Sequence, residues 1–178
     1  MKIIYLISLL LFSTVLSGPL LASTAELSLD QRLRQASNTR TDDDVLRELS
    51  ADSSAEVRAA VASNRRAPDD VYIVLSHDSD ADVRMALALN IDVPEAAKLN
   101  LVHDENLDVR LRLAKCGYMY PSVLAILARD NSVEVRKLVA VNYNATRSIL
   151  SMLLEDDNQQ VRTSASQHPL LAENSTPE

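Results

Sequence analysis

The chain has no tryptophan, one phenylalanine, two glycines and one cysteine in 178 residues. A single Cys116 cannot form an intrachain disulfide, so stability must come from packing rather than from covalent staples. The shortage of glycine and the absence of tryptophan suit an all-helical chain, and nothing in the composition suggests a sheet. Basic residues are outnumbered: 18 Lys and Arg stand against 25 Asp and Glu, for a net charge of −7. The arginines alternate with acids instead of clustering, which excludes nucleic acid as a partner, because phosphate contacts need grouped cations. Also missing are a phosphate-cradling glycine loop, a paired Cys or His metal motif, and a serine–histidine–acid arrangement that a repeat would bring together. No catalytic residue, cofactor or enzymatic activity is expected.

What the chain does have is a repeat. Arg136 recurs at intervals of 26 residues as Arg32, Arg58, Arg84, Arg110 and Arg162, preceded by Val in every copy except the first, where Gln31 stands. Asp130 recurs as Asp52, Asp78, Asp104 and Asp156; Leu127 as Leu49, Leu75, Leu101 and Leu153; Asn142 as Asn38, Asn64 and Asn90. No residue is inserted or lost between copies. Within a unit the apolar spacing describes two short helices: Val123, Leu124 and Leu127 in the first, Val135, Leu138 and Val139 in the second. Neither helix can bury its stripe alone, so the units must stack on one another. Full units run approximately over 41–66, 67–92, 93–118, 119–144 and 145–169, after a half-unit over Glu26 to Asn38 that reads as an N-terminal cap.

Each unit carries its own punctuation. Ser54, Asp80, Asn106, Ser132 and Asn158 stand where a side chain can cap the second helix, and Glu56, Asp82, Asp108 and Glu134 follow two positions later, where the positive helix end favours an acid. Asn38, Asn64, Asn90 and Asn142 are expected to end that helix by tolerating a left-handed conformation, with Pro68, Pro94 and Pro121 opening the next. Cys116 with Gly117 and His168 with Pro169 depart from this pattern, and both permit a helix stop.

The chain opens differently. Lys2 precedes the apolar run Ile3 to Leu16, which is short for a membrane span and suits a secretory signal, with Ser23 and Ala25 placed for cleavage before Glu26 and Ala22 as the alternative cut. Residues 1–25 are read as a signal peptide, 26–169 as the repeat domain and 170–178 as a disordered tail or frayed cap. Membrane association is expected only if the signal is retained. The expected location is the periplasm or the medium. The sequons Asn144-Ala145-Thr146 and Asn174-Ser175-Thr176 matter only in a glycosylating pathway.

The pattern Leu-x-x-Asp-x-x-x-x-Val-Arg resembles the HEAT-repeat family, and the short period with its Val-Arg, Ala, Asn and Pro is similar to a compact relative, the leucine-rich repeat variant. The resemblance covers residues 28–169. It implies a curved right-handed α-solenoid of about five two-helix repeats. It also implies a hydrogen-bonded ladder between neighbouring repeats, formed by Asp52, Asp78, Asp104, Asp130 and Asp156 with Arg58, Arg84, Arg110, Arg136 and Arg162. Some relatives carry a cysteine-bound iron–sulfur cluster, which a chain with one cysteine cannot hold in the same way. Most family members are protein-binding scaffolds, so the resemblance speaks to fold rather than activity.

With the repeated residues assigned to structure, function is sought where the copies differ. The turn between units reads Arg65-Arg66, then Ile91-Asp92, then Gly117-Tyr118-Met119-Tyr120, then Tyr143-Asn144-Ala145. Tyr118, Tyr120 and Tyr143 with Met119 are expected to form an aromatic patch along one edge, with Arg65 and Arg66 toward one end; the competing expectation is that one or two rings fold over the core. Tyr72 occupies the Leu46 and Leu124 position and is assigned to the core. The sequence therefore predicts a scaffold for a protein or peptide partner. Two alternatives stand beside it: a metal- or pH-responsive module built on His77 and His103, which share one repeat position, and an inhibitor or immunity partner of an exported toxin.

Overall fold

The computed structural model describes Thr24 and residues 27–172. The first helix, α1 (Leu29–Ser37), stands alone and is followed by five helix pairs: α2 (Asp43–Leu49) with α3 (Ala55–Ser63), α4 (Asp69–Leu75) with α5 (Ala81–Leu89), α6 (Glu95–Asn100) with α7 (Leu107–Lys115), α8 (Pro121–Leu127) with α9 (Val133–Ala140), and α10 (Arg147–Leu154) with α11 (Gln159–Ser166). A short α12 (Pro169–Ala172) closes the described chain; it takes in the first residues of the stretch expected as a tail. No strand occurs among the described residues.

None of the paired helices exceeds nine residues, a length at which an isolated helix is marginal in water. Their stability is therefore tertiary. The odd-numbered helices stack in one layer, α1 on α3 and onward to α11, and the even-numbered helices line a thinner second layer. Between the layers runs a continuous apolar core in which Leu46, Leu49, Val57, Val61, Leu87, Leu113, Leu124, Val135, Val139 and Leu150 are fully shielded. Tyr72 lies among them, 1% exposed.

The local signals act mostly where the sequence places them. Asp80, Asn106 and Asn158 accept the N–H two residues on, at the starts of α5, α7 and α11. Ser54 and Ser132 make no such bond; their own N–H groups donate instead to Asp52 and Asp130 at 2.8 Å, so the carboxylate two residues earlier shapes those entrances. The asparagines correct one expectation. Asn38, Asn64 and Asn90 end their helices in extended conformations, with φ between −80° and −69° and ψ between 117° and 122°. No non-glycine residue among those described has positive φ. The physical reason lies in where these side chains reach. Residues 1–23, 25, 26 and 173–178, and with them most of the expected signal peptide and tail, lie outside the described residues.

Candidate interaction surface

The solenoid has two long edges, one at each set of turns. At the edge joining the first helix of a unit to its second, each ladder arginine reaches the aspartate of the following unit. Nε and Nη2 of Arg58 grip Asp78 at 2.7 and 2.9 Å. Arg84 takes Asp104 at 2.7 and 3.0 Å, Arg110 takes Asp130 at 2.8 and 3.3 Å, and Arg136 takes Asp156 at 2.7 and 3.0 Å. The remaining nitrogen, Nη1, donates to the backbone carbonyl of its own unit's aspartate, six residues back, at 2.6–2.8 Å. Arg32 opens the row with Nε 2.7 Å from Asp52, an ion contact whose N–H misses the oxygen.

These are nearly dry forks. The aspartate side chains are 2–8% exposed, and each of Asp78, Asp104, Asp130 and Asp156 also accepts a backbone N–H two residues on. The hydrogen bonds from Arg58 and Arg136 hold the carboxyls of Asp78 and Asp156 below the ordinary range. Paired on both sides, the ladder presents little free charge. Concavities of about 560 and 410 Å³ lie along it, where Arg129 adds an exposed guanidinium that turns back onto the Ala125 carbonyl. His103 lines the larger of these; His77 lines a separate, shallower one and places Nδ1 3.1 Å from the Ile73 carbonyl. Among the described residues no group of three His, Cys, Asp or Glu side chains is placed to hold a metal ion.

A second ladder runs inside, and sequence reasoning treated it only as helix termination. The amide of Asn64 donates to the carbonyls of Ala36 and Asn38, 28 and 26 residues earlier, at 2.7 and 3.1 Å. Asn90 does the same to Ala62 and Asn64, and Asn142 to Ala114 and Cys116. Each asparagine thereby satisfies carbonyls left open at the end of the previous unit's helix. Extended backbone aims the side chain at them.

Cys116 stands in the asparagine row and cannot donate in this way. Lys98 does so instead. The residue is 2% exposed, and its ammonium gives its three protons to the carbonyls of Leu87, Ala88 and Asn90 at 2.6, 3.1 and 2.9 Å, which include the two that an asparagine at 116 would have reached. Burial lowers the Lys98 amine to about 8. His168 takes the asparagine place in the last unit: Nε2–H donates to the Asn142 carbonyl at 3.1 Å and Nδ1 accepts from Leu170 N–H at 3.2 Å, an arrangement that requires the neutral ring. The signal for Lys98 was available in the sequence, as a charge in the otherwise apolar column Leu46, Tyr72, Leu124, Leu150, beside the one gap in the asparagine row.

The opposite edge, between units, is where the copies differ. Tyr118 and Tyr143 are 81% and 82% exposed. Leu89, Ile91 and Val141 are also exposed on this side. Gly117 holds the register position of Ile91 and Tyr143, and a side chain there would meet nothing within 4 Å, so the edge is open beside Tyr118. The other expected residues do not join this surface equally. Met119 is 1% exposed and belongs to the core. Tyr120 is partly buried, its hydroxyl 3.4 Å from the Val93 carbonyl, so this ring folds over the core. Arg65 pairs with Asp92 of the next turn, while Arg66 is exposed with its guanidinium unpaired. A shallow concavity of about 370 Å³ lies between Ser63, Arg65, Leu89 and Ile91.

No protein-family model matches the chain, and no curated protein matches it. Among solved structures it is similar to one described as a leucine-rich repeat variant with a novel repetitive protein structural motif, at 26% sequence identity and a TM-score of 0.60. The likeness covers 87% of this chain and 64% of that one, so this chain spans somewhat under two thirds of its neighbour's length. Shared period, stacked short helices and this likeness converge: the described residues form a helical repeat solenoid whose fold is close to that of the leucine-rich repeat variant.

Proposed function

We propose that the chain is a non-enzymatic scaffold that holds a protein or peptide partner along the turn edge, with Tyr118 and Tyr143 as its anchors. One observation carries this reading: two tyrosines on successive turns stand more than four-fifths exposed, whereas Tyr72 is buried and Tyr120 is partly buried. Exposed tyrosine is costly to leave in water and enriched at interfaces, where its ring adds contact area at little entropic cost. A repeat fold of this kind suits protein interaction. Arg66, unpaired in the preceding turns, adds a cation toward one end.

Residues 1–25 fit export to the cell envelope. Thr24 donates from both N and Oγ1 to Glu48, at 2.9 and 2.6 Å. A cut after Ala22 would keep that contact, and a cut after Ala25 would remove it, which supports the earlier site.

The test is affinity capture from the envelope fraction with the wild type and with a Tyr118→Ala, Tyr143→Ala double variant, followed by titration of the captured protein in purified form. Binding that weakens at least about tenfold in a variant with an unchanged melting curve supports the turn edge. Equal binding by both proteins moves the contact elsewhere, and no binding by either removes the scaffold reading.

A further inference from the structure

In the middle of the solenoid one arginine passes over the acid that its spacing offers. On α1, Arg34 turns back one helical turn and pairs with Asp30. The same spacing separates Asp108 from Arg112 on α7, and there no pair forms. Arg112 is half-buried, its Nε is sealed from solvent, and no group among the described residues accepts from it. Its two Nη groups are not sealed. Lys115, on the same helix face, is exposed and also unpaired. Burial, opposed by Cys116 and joined by the charge of Arg112, lowers the nearby Lys98 amine. Lys98 is answered by carbonyls alone. Lys98, Arg112 and Lys115 thus gather positive charge without a carboxylate, on a chain whose net charge is −7.

Arg112 is in register with Ala86 on α5 and Leu138 on α9, the helices stacked on either side of α7. It therefore has apolar flanks on both sides. Met85 and Leu89 lie toward α5, Leu138 and Val141 toward α9, and Leu89 and Val141 are 47% and 53% exposed. The acids of this face, Asp82, Asp108 and Glu134, stand at the helix starts toward the ladder edge, and its other cation, Lys137, is bonded to Gln160. We propose that the outer face of α5, α7 and α9 binds an extended segment of a partner protein that carries one Asp or Glu between two aliphatic residues, with Arg112 taking the carboxylate. Charge complementarity selects the acid, because a guanidinium with two open Nη groups matches both oxygens of a carboxylate. The acid is a side chain rather than a chain terminus, since a terminal carboxylate leaves one apolar flank uncovered. In an extended segment the aliphatic side chains two residues to either side share the face of the acid, about 7 Å from it. That distance approaches the spacing of packed helices, about 8–10 Å. Tyr118 and Tyr143 take no part, so this site does not rest on the turn-edge reading.

The experiment follows the Arg112 Nε–H resonance of the protein as recovered from expressing cells. The probe is the peptide acetyl-Ser-Leu-Ser-Glu-Ser-Leu-Ser-amide, with Gln in place of Glu as one control and sodium acetate as the other. A saturable shift with the Glu peptide is expected. The Gln peptide should bind at least about tenfold more weakly, since a charge-assisted pair is lost. Arg112 bonds to nothing, so Arg112→Gln should leave the melting curve in place while abolishing the response. Arg112→Lys should weaken binding, because an ammonium cannot grip both oxygens. The Tyr118→Ala, Tyr143→Ala variant should bind the peptide as wild type does, which separates this site from the turn edge. Absence of any shift at millimolar peptide would overturn the proposal, as would equal responses to the Glu and Gln peptides or to peptide and acetate. Loss of binding in the tyrosine variant would assign the peptide to the turn edge and overturn it too. A shift that grows with protein concentration alone, accompanied by dimer in sedimentation, would give the face to a second copy, with the same result.

Discussion

The ladder edge and the turn edge are built by the same 26-residue unit, yet they treat polar groups in opposite ways. On the ladder edge, identity between copies is used directly: Arg and Asp recur in register, and every fork from Arg58 to Arg136 closes on the next unit. On the turn edge the register is kept by buried asparagine side chains, while the residues outside them vary from Arg65-Arg66 to Tyr143-Asn144. The lesson is a division of labour. Inward groups that must meet a partner 20 or 26 residues away are held constant, and outward groups that meet solvent are free to change.

The sharpest way to break that contrast is to truncate a fork. Arg84 and Asp104 form the driest pair, with side chains 9% and 2% exposed. Arg84→Ala should cost about 3–5 kcal/mol in urea unfolding, because a carboxylate is left buried without its cation. The exposed pair Arg34–Asp30 supplies the control, with side chains 75% and 68% exposed, and Arg34→Ala should cost no more than about 0.5 kcal/mol. Equal losses from the two would mean that the ladder does not stabilise the stack.

Next comes the repaired gap in the inner row. Lys98→Met removes three bonds to helix-end carbonyls, of which Leu87 keeps the Asn90 N–H while Ala88 and Asn90 lose their donor, and should cost about 2–4 kcal/mol. Adding Cys116→Asn restores two of those bonds and should recover about half of the loss. The pH dependence has a definite sign. The folded Lys98 amine titrates near 8, below its ordinary 10.5. Between these values the unfolded chain binds more protons than the folded one, so the Lys98 contribution to stability rises with pH. The gap between wild type and Lys98→Met should therefore be wider at pH 9.5 than at pH 7.5, and a gap that narrows would contradict the assignment. Acid acts on the outer ladder instead. Asp78 and Asp156 are held below their ordinary 3.8, so their contribution is complete above that value and is lost as pH falls through the folded one. Wild type should lose stability below about pH 4 more steeply than Asp78→Asn.

The turn edge should answer differently. Tyr118→Ala with Tyr143→Ala should change stability by no more than about 0.5 kcal/mol, since neither ring is packed, whereas Tyr120→Ala should destabilise the fold measurably by uncovering the core. The smallest effect is expected at His168. Replacement by Asn, the residue its position carries elsewhere, should keep both bonds and shift stability by less than about 1 kcal/mol, while removing the requirement for a neutral ring.

The candidate surface was legible only in part. The exposure of Tyr118 and Tyr143 follows from their place in turns that vary. The burial of Met119 was legible too, though from the register rather than from the variation: Ala67, Val93, Met119 and Ala145 recur at 26 residues as an apolar column, and all four are buried. Arg65 and Arg66 look equivalent in sequence. Only the neighbouring turn brings Asp92 to one of them.

By itself the sequence determined the period, the two helices per unit, the apolar column of each helix and the register of Asp and Arg, because a strict 26-residue repeat of amphipathic segments has no way to bury its stripes except by stacking. It also determined that no intrachain disulfide could form, and its helical periodicity agrees with the absence of strands among the described residues. Tertiary structure alone decided that the asparagines bind backward into the previous unit rather than turning left-handed, and that Lys98 stands in for the asparagine missing at 116. Those outcomes depend on groups far apart in sequence meeting across a helix-packing distance, and a bond between residues 20 to 28 apart is fixed only when the units are stacked.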